Sequence, residues 1–200
     1  MEYPTKLICL NFIFVICCGW AAAEKLMRPT FGESKFWSDD EFISHEVTYD
    51  ANDPHINITF NVLKDLHDLD LHIETKFVQK NDPTYITTTN STINFCRFIS
   101  WSHNSPIGTL LFNYLKSYGK LIGKCPIVKG EYFVHKFWYP EDLTFANSPE
   151  IDFEVHIIGY HLDASMKREK ILEDHIKGET VVKDVSNTRP GILAMLPKTR

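Results

Sequence analysis

Nine histidines, twenty-six carboxylates and five cysteines in 200 residues are the side chains from which this chain could build a metal site, an acid–base pair or a nucleophile. The densest grouping is His67-Asp-Leu-Asp-Leu-His72. A zinc or calcium site needs several such donors converging on one point. On a strand, however, Asp68, Asp70 and His72 share one face while His67 points to the other, which describes a solvated face rather than a ligand set. No His-Glu-x-x-His or EF-hand spacing accompanies it. The Gly-x-Ser-x-Gly elbow of acyl transfer, the glycine-rich phosphate loop and the dinucleotide fingerprint are missing as well. With no acid and base juxtaposed by a recognisable pattern, the reading is a non-enzymatic protein without metal or cofactor. A net charge of −5 offers no basic surface for phosphate contacts, which sets nucleic acid aside as a partner.

The cysteines divide by position. After Lys6, the run from Leu7 to Trp20 is apolar except for one amide, and Ala21, Ala22 and Ala23 follow it. This is the pattern of a signal peptide cut after Ala23, and it stops short of the roughly 20 residues of a spanning helix. Residues 1–23 are therefore expected to leave, and the remainder to be secreted and extracellular. Cys9, Cys17 and Cys18 go with them, so only Cys96 and Cys125 remain. In an oxidising compartment that pair reads as one disulfide, worth about 3.5 kcal/mol through the entropy of the loop it closes. A papain-type nucleophile is then improbable, because neither thiol is free. Asn57-Ile-Thr and Asn90-Ser-Thr are acceptors for N-linked glycans and fit the same compartment.

The elements that would position these groups are mostly strands. Ile56, Ile58, Phe60 and Val62 alternate with polar residues, as do Leu69, Leu71 and Ile73. Lys80-Asn-Asp-Pro83 is a turn cluster, and Thr84 to Phe95 is rich in β-branched residues. If Asn90 faces outward, parity places Tyr85, Thr87, Thr89, Ile93 and Phe95 inward and requires a bulge or strand end before Cys96. One helix is predicted over Pro106–Tyr118, from the Ser105-Pro106 start, apolar residues at helical spacing and the Gly119 stop. Glu131 to Tyr139 is apolar on both faces, as a strand between layers or beside a cavity would be. Ile151, Phe153, Val155 and Ile157 give a last alternation. Met166 to Lys177 reads as a short polar helix within a C-terminal tail over 164–200, and 24–163 as the single domain. The expected fold is all-β, a two-sheet antiparallel sandwich or cup with one helix between Cys96 and Cys125.

Ile93-Asn-Phe-Cys96-Arg-Phe, the Pro106 helix, Gly123-Lys-Cys125-Pro126-Ile-Val-Lys-Gly130-Glu-Tyr-Phe-Val and Ile151-Asp-Phe-Glu-Val resemble a large insect family of small secreted proteins. Within it the chain looks most like the CheB-type chemosensory proteins, distant relatives of the ganglioside-activator and ML lipid-recognition domains. The resemblance spans roughly residues 45 to 160, and departs from the ganglioside activator in having one disulfide rather than several. It implies a sandwich whose interior accepts an apolar chain, and a role in contact chemosensation such as pheromone detection.

Two functions follow as expectations. A carrier for a lipid or hydrocarbon, such as a cuticular hydrocarbon, needs a cavity larger than about 300 Å³ lined by Phe, Trp, Leu and Ile. Its candidate lining is Leu111, Tyr114, Phe133, Phe137 and Trp138, with the Pro106 helix as part of the wall. An extracellular accessory protein that modulates a membrane receptor or channel needs only an exposed aromatic patch, which the Trp101-Ser-His-Asn-Ser105 loop could supply.

Overall fold

The computed structural model describes residues 26–49, 55–137, 149–163, 165 and 167–183. Residues 1–23, expected from sequence to be a signal peptide, Trp138 and residues 184–200 lie outside the described residues. Nine strands and two helices follow one another as β1 (Leu26–Ser38), β2 (Ile43–Tyr49), β3 (Ile56–Val62), β4 (Asp68–Gln79), β5 (Ile86–Asn94), α1 (Phe95–Asn104), α2 (Pro106–Lys116), β6 (Gly119–Lys120), β7 (Gly130–Phe137), β8 (Ile151–Leu162) and β9 (Arg168–Lys183). They form two antiparallel sheets, ordered β1-β9-β8-β4-β5 and β2-β3-β7-β6. The expected two-sheet sandwich is therefore the architecture found.

Alternation sets which face of each strand is dry. Leu69 and Leu71 on β4, Ile157 on β8 and Leu172 on β9 face Ile43 and Val47 on β2 and Ile58, Phe60 and Val62 on β3. Within these rows Ile43, Val62, Leu66, Leu69, Ile127, Ile171 and Leu172 form the buried core cluster. Leu66 and Ile127 exchange backbone hydrogen bonds of 2.8 and 2.9 Å at its base. The Lys80 ammonium ties the end of β4 to Glu179 on β9 and lies 4.0 Å from Asp152 on β8. These carboxylates, Glu179 foremost, raise the pKa of Lys80 above its ordinary value.

Four sequence expectations change. Residues 168–183 are neither polar helix nor detached tail, because Arg168–Lys183 is a strand lying between β1 and β8. An inward-facing Asp174 and a register shift opposite Gly159/Tyr160 break its alternation and disguise it. Strand β1 is a further element without a clean pattern, for it contains Pro29 and a bulge between Phe31 and Ser34. Two helices, rather than one, stand between the cysteines. Phe95 to Asn104 forms α1, capped by the Asn94 side chain, which accepts from Arg97 N–H at 2.9 Å. Finally, the parity assigned to Thr84–Phe95 buries none of Tyr85, Thr87, Thr89 or Ile93, because β5 is an edge strand with Ile86 to Ile93 all exposed. Its end at Asn94 supplies the expected break before Cys96.

The two helices span the side of the sandwich where β5 and β6 are the sheet edges, α1 against β4 and β5, α2 against β6 and β7. Gly108 allows them to touch, since a Cβ there would come within 2.7 Å of Ser102 Cα. The Cys96–Cys125 disulfide fastens both ends of this helical segment across 29 residues. Replacing both cysteines by serine should lower unfolding free energy by about 3.5 kcal/mol, read as a lower urea midpoint at unchanged slope. An equal midpoint would mean that the helical wall needs no fastening.

Asn57 and Asn90 also separate. Asn90 is exposed on β5. Asn57 is half-buried, its Nδ2 donating to Thr48 Oγ1 at 3.2 Å and its Oδ1 accepting from Lys136 N–H at 2.8 Å. Lys136 has a φ of 55°, where β7 slips register against β3, and the Asn57 bond braces that irregular backbone. Asn57→Gln, expected from sequence to be silent, should cost about 1 kcal/mol in denaturant unfolding, while Asn90→Gln should cost nothing measurable.

Candidate functional site

Between the two sheets the core cluster leaves space. A cavity of about 260 Å³ lies there, walled by Phe31 from β1, Val47 and Tyr49 from β2, Ile56, Ile58 and Phe60 from β3, Leu71 from β4, Ile157 from β8 and Ile176 from β9, with Val62, Leu66, Ile127 and Ile171 of the core also lining it. The β3 row alone, Ile56 to Val62, runs about 20 Å along the strand. The space is a slot between the sheets, with that row in its wall. A second apolar pocket of about 170 Å³ adjoins it under the helices, between Phe98 and Ile99 of α1, Phe112 and Leu115 of α2, and Phe133 and Val134 of β7. Phe60, Phe95 and Ile122 belong to both walls. The larger space falls a little below the expected 300 Å³ and has no tryptophan among its described lining residues.

Of the residues singled out from sequence, Phe133 lines the smaller pocket and none lines the larger. Tyr114 and Phe137 instead form an aromatic cluster with Tyr118, whose ring lies 5.3 Å from Tyr114 and 5.5 Å from Phe137. Leu111 borders neither space, and Trp138 is outside the described residues. Helix α2 is wall to the smaller pocket alone, whereas α1, unforeseen, contributes Phe95 to both. The cavity residues were nonetheless visible: Ile56, Ile58, Phe60, Leu69, Leu71 and Ile157 are the inward members of the alternations read from sequence. Trp101 stands on helix α1 rather than a loop, 44% exposed and 5.7 Å from the half-exposed Phe98 ring.

One polar pair interrupts the apolar interior. His45 lies in the inward row of β2 between Ile43 and Val47, and Asp174 in that of β9 between Leu172 and Ile176. Across the gap, His45 Nε2–H donates to Asp174 Oδ1 at 2.8 Å, with the two side chains 1% and 8% exposed. The imidazole stacks on Phe60 at 5.7 Å and meets the Phe36 ring edge-on at 6.0 Å. Nothing in the sequence distinguished these two among nine histidines and twenty-six carboxylates. The available sign was a carboxylate at an inward position of a strand that had not been recognised.

The groups first suspected of metal chemistry are otherwise engaged. Asn94 Nδ2 donates to Asp68 and Asp70 at 2.8 and 2.9 Å, and His72 Nδ1 meets Thr92 Oγ1 at 3.1 Å, on the outer face of the five-stranded sheet. Among the described residues, Asp68 comes together with Cys96 and Cys125 as possible ligands, but the two sulfurs are bonded to each other. Farther along that outer face, His156 meets Glu173 at 3.0 Å and His175 lies 4.0 Å from Glu154. Lys170, and after it His156, hold the Glu173 carboxyl below the usual carboxylate range. This is a solvated ion-pair ladder.

In comparisons with known families, residues 73–155 match the model of a family described as a protein of unknown function, DUF1091. The matched stretch runs from within β4 to within β8 and holds the disulfide and both helices. No curated protein matches the chain.

The buried pair has a measurable stability signature. His45→Leu would leave the Asp174 carboxylate among apolar side chains without its donor and should cost about 3 to 5 kcal/mol, whereas His45→Leu with Asp174→Leu should be close to neutral. Urea unfolding of both variants measures the difference. Equal destabilisation by single and double variants would show that the two residues are not coupled.

Proposed function

We propose that this protein is a secreted, non-enzymatic carrier that holds an elongated apolar ligand between its two sheets, with contact chemosensation, such as pheromone detection, as its setting. The observation that carries the reading is the slot of about 260 Å³ walled by isoleucine, leucine, valine and phenylalanine. Close-packed interiors hold few voids larger than a water molecule, so apolar space of this size in a sandwich is suited to an apolar guest. The disulfide fits an oxidising compartment, and no described helix is long and apolar enough to cross a membrane. The resemblance to CheB-type proteins and lipid-recognition domains points in the same direction and supplies the chemosensory setting.

A second reading, surface contact with a membrane receptor or channel, is favoured by the neighbouring exposed side chains of Ile93, Phe98 and Trp101. It requires no guest, and the same experiment separates the two. Val47→Phe places a ring in the slot without introducing charge. Stability should hold or rise by up to about 1 kcal/mol, while uptake of the fluorescent hydrocarbon diphenylhexatriene should fall at least tenfold. Unchanged uptake in a folded variant would reject the slot as the binding site. Absence of uptake by the wild-type protein would favour surface contact. Secretion has its own measure: the intact mass of protein from insect-cell medium should begin at Glu24 and shift by 2 Da on reduction.

A further inference from the structure

The slot is not built for a pure hydrocarbon. Among the described residues its lining is apolar except at Asp174 and at Tyr49, whose hydroxyl donates to the Gly32 carbonyl, and a carboxylate at an inward strand position is retained against a large desolvation cost only when something answers it. His45 answers it in part. Its Nε2–H meets Oδ1 at 2.8 Å. His45 Nδ1 is buried without a partner, on a side chain 1% exposed. One ring nitrogen of this buried pair is thus left open, a deficit comparable with a lost hydrogen bond, and the carboxylate bonded to the ring forms part of the wall of the apolar slot.

From this arrangement, which rests on the carrier reading above, we infer that the ligand is a long-chain alcohol whose terminal hydroxyl donates to Asp174, with its chain lying along the slot between the sheets. The head group follows from the chemistry of the pair. A hydrocarbon donates nothing and leaves the deficit in place. Ethers, esters and ketones only accept, so they meet an acceptor with an acceptor. A fatty acid brings a second carboxylate against Asp174, and like charges in a medium of low dielectric repel strongly. An ammonium would have to give up its hydration inside an apolar slot. A hydroxyl is neutral, donates one hydrogen bond to the carboxylate and has no charge to desolvate. The position of Asp174 agrees: it lies part-way along the slot, with Ile176, Val47, Tyr49 and Phe31 beyond it to accommodate the alkyl chain.

The test is displacement of diphenylhexatriene from the full secreted protein by two molecules of equal size, dodecan-1-ol and 1-methoxyundecane. The wild type should bind the alcohol about ten- to a hundredfold more tightly than the ether, the ratio expected of one hydrogen bond to a charged group. Asp174→Asn, whose amide can turn a donor toward the slot, should bring the ratio near one while diphenylhexatriene uptake persists. Equal binding of alcohol and ether by the wild type would overturn the inference and leave the carrier reading standing. Failure of the wild type to take up any of the three would remove the carrier reading and this inference with it. Should Asp174→Asn not fold, the wild-type ratio alone decides.

Discussion

Two hydrogen bonds between the backbones of Leu66 and Ile127 anchor this fold. Neither residue lies in a named strand, yet both are 1% exposed, and they join the segment after β3 to the segment after the disulfide. Every buried backbone group needs a partner, and this bridge meets that need at the floor of the core. Around it Ile43, Val62, Leu69, Ile171 and Leu172 form the buried cluster, and the same residues contribute to the wall of the cavity between the sheets. The helices complete the enclosure. Without α1 and α2 beside β5 and β6, Phe60 and Ile122 would border solvent rather than a second apolar pocket.

The His45–Asp174 pair has a different role from the floor. Apolar surfaces slide over one another at little cost, but a hydrogen bond between two inward side chains holds at one register only. The pair therefore pins β2 to β9, and through them one sheet to the other, at a point where packing is incomplete. The stacked Phe60 ring keeps the imidazole in place. A slot between sheets needs such a strut, because apolar walls with nothing between them tend to collapse.

What could be read beforehand follows from how regular each element is. β3, β4 and β8 alternate without interruption, so their inward residues were legible and are the residues that line the slot. Helix α2 was legible through Ser105, whose hydroxyl accepts from Gly108 N–H, and Pro106 in the first turn. Helix α1 carries Phe95, Phe98 and Ile99 at helical spacing, but it begins straight after a β-branched run and reads as more strand. On β7 a positive φ at Lys136 and a register slip separate Phe137 from the regular part of the strand that carries Phe133. β9 was hidden by Asp174. A strand whose inward row includes a carboxylate fails the alternation test, so the residue that gives the slot its polarity also concealed the strand that carries it.

The pairing of β1 with β9 sets a timetable for biosynthesis. Leu26 stands opposite Lys183 and Ser38 opposite Leu172, so the first strand made finds its partner only in the last one described. At the usual 5–20 residues per second, β1 waits about 7 to 30 seconds before that partner has been polymerised. Until then it has no neighbour in its own sheet and Phe31 no aromatic cover from β8. Such delayed closure leaves the five-stranded sheet incomplete until synthesis of the described strands has ended.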